Sequence, residues 1–278
     1  TVVFSFDRTG WLLHRAGFDQ DDLRVDLSGR VCAVTGANSG LGEAAALALA
    51  ARGARVWLLC RDRARGEVAA ARITQATANP EVFVEVVDLA DLSSVRAFAS
   101  RFSEERLDVL VNNAGVLPLS RQQTVDGLEL TFATNVAGPF LLTALLLPRL
   151  RAATQGRIVT VSSGGMYAVR LDPDQWNAPK EPFDGVTAYA WTKRAEVILN
   201  ELWAERLAGT GVTCNAMHPG WADTPGVRTS LPRFHSWMKG RLRSAAEGAD
   251  TAVWLAVAPR LGGTSGKWFF DRAERWTH

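Results

Sequence analysis

The sequence predicts an α/β chain: a doubly wound Rossmann fold with a seven-stranded, mainly parallel sheet and helices on both faces. Three observations predict it. From residue 31 onward, short apolar runs alternate with longer helix-like runs. A glycine-rich turn follows the first apolar run at once. Polar or glycine motifs then recur where later apolar runs end. An unbroken apolar run of strand length reads as a strand buried on both faces. Right-handed crossovers then make the sheet parallel, with ligands outside the C-terminal strand ends where strand order reverses. With 278 residues the chain can bury one such core. Residues 29–278 read as a single nucleotide-binding domain, and residues 1–28 as an extension packed on that domain or on a partner.

The extension carries Phe4, Phe6, Trp11, Leu12, Leu13 and Phe18, a heavy apolar load for a tail. A short packed helix is one reading and an interfacial amphipathic anchor the other, although Asp19, Asp21 and Asp22 oppose an acidic membrane. Strands are expected over 31–34, 55–59, 82–87, 107–111, 157–161, 212–217 and 267–270. Each is a Val- and Leu-rich run bounded by turn formers. Helices are expected over 43–52, 63–78, about 91–103, 125–147, 187–207 and 245–256. Asn79-Pro80 ends the second helix, and Asp91 or Ser93 caps the third. Residues 164–185 and 221–243 break the alternation and read as substrate segments.

Lys plus Arg, at 31, nearly balances Asp plus Glu, at 29, which argues against a nucleic-acid partner. Cys32, Cys60 and Cys214 lie far apart in apolar runs and read as core residues. The four histidines show no metal-ligand spacing, so no metal is expected. Residues 136–150 come nearest to a membrane span, but carry Gly138, Pro139, Pro148 and Arg149. No signal-peptide pattern is visible, and a cytoplasmic protein is the expectation.

The turn Thr35-Gly36-Ala37-Asn38-Ser39-Gly40-Leu41-Gly42 joins the first strand to a helix. Glycines allow the sharp turn and the close approach of a pyrophosphate, and the helix N-terminus holds the anion. Gly36, Asn38, Ser39, Gly40 and Leu41 are therefore cofactor candidates. The second strand ends Leu59-Cys60-Arg61-Asp62. In this fold an acid there binds a ribose 2′-hydroxyl and a basic residue accommodates a 2′-phosphate. Arg61 favours NADP(H) over NAD(H), while a small backbone shift would present Asp62 to a ribose. Asp88 and Leu89 can frame the adenine, although Asp88 would equally begin a turn.

Tyr189-Ala190-Trp191-Thr192-Lys193 puts a phenol and an ammonium one helical turn apart on one face. A free phenol, with a pKa near ~10, is a poor acid–base group at neutral pH. A nearby fixed cation favours the phenolate, so Tyr189 can exchange a proton with a substrate oxygen. Ser163, at the end of the fifth strand, is placed to hydrogen-bond that oxygen. Asn135 can hold a water that links Lys193 to solvent.

Together these motifs resemble the short-chain dehydrogenase/reductase family over residues 29–271. The resemblance is carried by the glycine turn, Asn112-Asn113-Ala114-Gly115, Asn135, Ser163, Tyr189 with Lys193, and Pro219-Gly220 through Thr224. Three further runs, residues 161–166, 182–185 and 217–227, are similar to one member group of that family. The long gap between Ser163 and Tyr189 is similar to its retinol dehydrogenase branch. The resemblance implies hydride transfer between nicotinamide and a carbonyl or alcohol carbon. It implies Asn135, Ser163, Tyr189 and Lys193 as the catalytic set, with Lys193 holding the nicotinamide ribose. It implies cofactor contacts from Asn113, Ala114, Gly115, Pro219, Gly220 and Thr224, and a homodimer or tetramer through the helices holding Asn135 and Tyr189.

Substrate candidates are Ser163, Gly165, Met166, Tyr189 and Trp221. With Tyr167, Trp176, Phe234 and Trp237 they suggest an apolar, aromatic pocket for a ketone, aldehyde or secondary alcohol. Arg228, Arg233, Lys239, Arg241 and Arg243 read as a solvated face or, alternatively, as a clamp on an acidic tail. The alternative function is an NADP(H)-binding redox sensor or scaffold without turnover.

Overall fold

The computed structural model describes residues 5–172 and 182–277. One sheet runs in the order β3-β2-β1-β4-β5-β6-β7-β8. Its strands are β1 (Val31–Thr35), β2 (Arg55–Cys60), β3 (Val82–Val86), β4 (Val109–Asn112), β5 (Gly156–Val161), β6 (Val212–His218), β7 (Trp268–Phe270) and β8 (Ala273–Glu274). The first seven are parallel, and strand order reverses between β1 and β4. β1 is buried at every position, as its unbroken apolar run requires. The helices are α1 (Arg8–Arg15), α2 (Gly40–Ala50), α3 (Arg63–Thr77), α4 (Leu92–Arg101), α5 (Leu130–Ala152), α6 (Gly185–Arg206), α7 (Pro225–Ser230), α8 (Pro232–Met238) and α9 (Ala245–Val257). One face of the sheet packs Leu49, Ile73, Trp254 and Leu255 from α2, α3 and α9. The other packs Phe98, Leu142, Leu146 and Leu150 from α4 and α5.

Three departures from the sequence expectation have local causes. β8 pairs antiparallel with β7, beyond the seven strands expected. Asp271 and Arg272 take φ of 51° and 54°, the left-handed pair of a tight hairpin turn. No glycine marks that turn, and the carboxylate of Asp271 is held by Arg243 at 2.6 and 2.9 Å. α5 begins at Leu130 rather than 125, because Asp126-Gly127 makes a turn in which the Thr124 N–H donates to the Leu128 carbonyl. It also continues through Pro148, past the expected end at 147, and reaches Ala152.

α5 is therefore long and apolar enough to cross a membrane by length and composition, with 23 residues and a mean hydropathy of 1.7. This corrects the expectation that no apolar run reaches that length. Half of its most apolar window is buried against the sheet, which accounts for the composition.

The N-terminal extension packs on the chain's own surface. The Trp221 N–H donates to the Phe6 carbonyl at 2.8 Å, and the Arg8 N–H to the Arg241 carbonyl at 2.9 Å. Asp7 caps α1 through the Gly10 N–H, and Trp11 is buried. Leu12 and Leu13 remain exposed.

Candidate active site

The glycine turn lies at the reversal of strand order. Gly36 has φ of 64°, and a Cβ there would lie 3.0 Å from the Cα of Ala114. The Thr35 hydroxyl accepts the N–H groups of Asn113 (2.9 Å) and Ala114 (3.0 Å), and Asn113 Nδ2 donates to the Thr35 carbonyl. β1 and the run after β4 are thus laced together by one threonine. Ser39 stands extended at the start of α2 and its side chain caps nothing. The first N–H groups of α2 therefore need an external acceptor, which is how a helix N-terminus meets a phosphate. Thr224 lies 3.4 Å from the position of a Cβ on Gly40, so the segment after β6 closes over the same turn. The residues present fit a dinucleotide.

Tyr189 and Lys193 sit on α6, whose start is set by Asp184 accepting the Val186 N–H. Lys193 Nζ lies 5.4 Å from the Tyr189 ring centroid. It is almost wholly buried and donates to Val161 O at 3.2 Å and to Glu196 Oε1 at 2.7 Å. Burial works against its charge, but the Glu196 carboxylate and the Tyr189 phenol outweigh it and raise its pKa. A Cβ on Gly115 would lie 3.4 Å from Nζ, so the run after β4 passes the ammonium closely. Ser163 Oγ accepts the Gly165 N–H at 3.1 Å, which leaves its own hydrogen for a substrate oxygen. Gly165 lies against Ala190, beside Tyr189.

Asn135 is drawn inward by a single π turn, Ala133–Ala137, within α5. Its Oδ1 accepts the Val116 N–H at 2.9 Å, and its Nδ2 donates to Thr192 Oγ1 at 3.0 Å and to Val116 O at 3.2 Å. The Thr192 hydroxyl in turn donates to the Tyr189 carbonyl. The Asn135 side chain is thus a clamp between α5, α6 and the loop after β4. These contacts use both Nδ2 hydrogens and one of the two lone pairs of Oδ1.

The short chain dehydrogenase family model matches residues 30–233. The chain belongs to the short-chain dehydrogenase family. It is 44% identical over 275 residues to dehydrogenase/reductase SDR family member 12 of Bos taurus, covering 98% of this chain and 86% of that one. It is 41% identical over 256 residues to retinol dehydrogenase 12 of Homo sapiens, covering 91% and 81%. Among solved structures, the Pseudomonas aeruginosa RhlG/NADP active-site complex superposes with a TM-score of 0.71 at 25% identity, covering 88% and 95%. The resemblance read from sequence, to this family and to both of those branches, is borne out. The protein is an oxidoreductase acting on CH–OH or carbonyl groups with a nicotinamide cofactor.

In this short-chain dehydrogenase the ends of the later strands need corrections. Met166, expected to touch substrate, is fully buried with Val197, Ala216 and Trp268 beneath the turn Gly164–Ala168. An apolar side chain at that position anchors the turn from below. Tyr167 also faces away, its hydroxyl donating to Trp276 O and accepting from Trp268 Nε1. Trp221 is half-buried, with ring centroids 5.9 Å from Phe6 and 5.3 Å from Phe234. Trp237 is 70% exposed, and Trp176 lies outside the described residues.

Arg243 is neither a solvated residue nor an acidic-tail clamp. It is buried, paired with Asp271, and donates to the carbonyls of Ser5, Asp7 and Pro219. The φ of 73° at Gly220 and its missing Cβ leave room for that guanidinium. Arg228 pairs with Asp223, while Arg233, Lys239 and Arg241 are exposed.

Three side chains at the site escaped the sequence reading: Phe6, Glu196 and His218. His218 Nδ1 accepts the N–H groups of Gly164 (3.0 Å) and Gly220 (3.3 Å), joining two strand ends. Burial, with Arg243 nearby, pushes its pKa down to about 3, so it is a neutral strut. Its place before Pro219-Gly220 was the only sequence signal. Glu196 stands one turn beyond Lys193, a spacing that signals an ion pair.

Proposed function

We propose that the protein is an NADP(H)-dependent reductase of apolar or aromatic ketones and aldehydes, also able to oxidise the matching secondary alcohols. The observation that carries it is the buried ammonium of Lys193 between the Tyr189 ring and Gly115. When bound, the nicotinamide supplies or accepts the hydride. In reduction, Tyr189 donates its hydroxyl proton to the carbonyl oxygen as negative charge develops there, and the Lys193 ammonium favours the phenolate left behind. The Ser163 hydroxyl hydrogen-bonds the same oxygen. Gly36, Asn38, Ser39, Gly40 and Leu41 would cradle the pyrophosphate, and Pro219, Gly220 and Thr224 would close on the nicotinamide side. Asp88 and Leu89 would frame the adenine; the Asp88 carboxylate already accepts the Ala90 N–H, and the Leu89 side chain is buried, so backbone groups serve best.

The preference for NADP rests on a division of labour after β2. Asp62 is engaged as the N-cap of α3, accepting the Arg65 N–H at 3.0 Å. Arg61 is exposed and unpaired among the described residues, available to fork onto a 2′-phosphate. Arg61→Ala should raise KM for NADPH about tenfold or more while changing KM for NADH little, consistent with a lost charge-assisted contact. Equal changes would refute the preference. A panel of decanal, benzaldehyde, acetophenone and menadione, followed by NADPH consumption, tests turnover. Silence across the panel with tight NADPH binding would favour the sensor reading.

An assembly through α5 and α6 is supported by their outer faces. Phe140 and Leu202 are exposed there, and the Phe140 and Trp203 rings lie 5.3 Å apart. A homodimer or tetramer would cover them.

A further inference from the structure

The two turns that flank the substrate position are bridged by a residue of the N-terminal extension. Ser163 opens the turn after β5, and Trp221 follows Gly220 after β6. Phe6 stands between them. Its ring edge, at Cε2, lies 3.2 Å from the position of a Cβ on Gly164, the residue next to Ser163. On the other side its ring centroid lies 5.9 Å from that of Trp221, which in turn packs on Phe234 at 5.3 Å. Phe6 is held there as part of the fold. The carbonyls of Ser5 and Asp7, on either side of it, accept from the buried guanidinium of Arg243 at 2.9 and 3.2 Å. Its own carbonyl accepts the Trp221 N–H, and the Arg8 N–H donates to Arg241 O. Gly10 of α1 packs onto the Ser5 backbone so closely that a Cβ has no room. These four hydrogen bonds fix residues 5–8 to the segment 221–243, which the sequence marks as a substrate segment.

The ring also covers a donor that has no acceptor. His218 Nδ1 accepts two N–H groups, so the proton of the neutral imidazole sits on Nε2. That N–H is buried and has no hydrogen-bond partner among the described residues. Phe6 meets the His218 ring edge to face at 4.6 Å and 88°, and Phe270 packs on Phe6 at 5.2 Å. Phe6 itself is only half-buried, so part of its ring is left for a ligand to cover. An aromatic wall beside Ser163 accepts an apolar chain end. A polar end would lose its water there and gain no partner. Methylenes laid against such a wall favour binding until the chain meets the ring; beyond that point further carbon turns away into water and adds nothing.

We propose that Phe6 is the specificity-determining end wall of the substrate pocket. It stops the apolar chain of a ketone or aldehyde whose carbonyl oxygen sits at Ser163 and Tyr189, and so sets the longest chain the site accepts. The inference rests on the reading of Ser163 and Tyr189 given above. It gives the N-terminal extension a part in the site: Arg243 and the Trp221 backbone position the segment, and Phe6 alone touches the ligand.

The test measures binding apart from turnover. Methyl ketones from hexan-2-one to tetradecan-2-one are titrated by calorimetry into the protein with NADP+, the oxidised form that has no hydride to give a ketone. Wild-type Kd should fall about fourfold with each added methylene and then level off at one chain length. Phe6→Ala should move that break to longer chains and Phe6→Trp to shorter ones, with the Kd for hexan-2-one little changed. Opposite movements at one position are not something a loss of stability produces. Phe6→Leu, which keeps an apolar side chain on His218, should move the break the same way as alanine by a smaller step, and serves if the alanine variant does not fold. A break at the same length in wild type and every variant, or no binding of any ketone, would overturn the proposal. The same ketones with NADPH separate the two readings. If the break moves in binding while no ketone is turned over, the wall stands and the reductase reading fails. If the ketones are turned over with one length profile in wild type and variants alike, only the wall fails.

Discussion

The two ends of the sheet are tied together by different means. From β1 to β4 the work is done by backbone: a glycine turn, the N–H groups of α2, and one threonine that laces two strand ends together. From β5 to β8 it is done by side chains from distant parts of the chain. His218 ties the ends of β5 and β6, and Arg243 gathers the N-terminal extension, the loop after β6 and the turn before β8. Backbone N–H groups meet a diphosphate whatever the neighbouring side chains are, so a backbone cradle suits it. Walls made of separate segments can change without disturbing the cradle. The difference predicts that damage to the side-chain hub should destabilise the protein broadly, whereas damage to the backbone half should be local.

The largest expected effect is at the hub. Arg243→Ala leaves the buried Asp271 carboxylate without its bidentate partner, and His14 alone remains at 2.6 Å. Removing one member of a buried ion pair costs about 3–5 kcal/mol. Urea unfolding should show a loss of that size, together with faster proteolysis within residues 5–15. An intact N-terminus and a loss below ~1 kcal/mol, as for exposed pairs, would erase the contrast between the two halves.

Acid should reach the substrate half next. His218 is held neutral, with its pKa lowered to about 3 from 6.5. The unfolded chain binds a proton there below about pH 6.5 and the folded chain does not, so stability is present above that pH and drains as pH falls toward 3. Glu196 works with the opposite sign, since its raised pKa favours the folded state on acidification between about 7 and 4.5. The comparison is therefore made against His218→Asn. Wild type should lose about 2 kcal/mol more than this variant between pH 6.5 and 4.5, at most ~1.4 kcal/mol per pH unit. Parallel stability curves would show that His218 titrates normally.

The smallest effect belongs to the nucleotide half. Asp62→Ala removes the α3 cap and should cost about 1 kcal/mol. NADPH affinity should change less than twofold, because Asp62 faces the helix. A large gain in NADH use would instead return Asp62 to the ribose.

The nucleotide half was legible because its signals are local. Gly36 and Gly40 announce a turn by residue type, and Arg61 follows a strand end by one position. The clamp made by Asn135 was not legible, because the π turn that rotates the side chain inward has no sequence mark. Asp126-Gly127 was a written turn signal that the apolar pattern of α5 overrode. Met166 and Arg243 were misplaced for the same reason as each other. Residue type argued for a pocket wall and a solvated charge, and only neighbours more than twenty positions away decided otherwise.

By itself, then, the order of residues determined the sheet, the cradle and the Tyr189–Lys193 pair, since each follows from spacing along one element. Tertiary structure alone decided which side chains stand behind them. Burial and unmet hydrogen bonds arise only where segments meet, and Glu196 with Asn112 and Asn200 acquire a common cavity only once α5 and α6 close on β4 and β5.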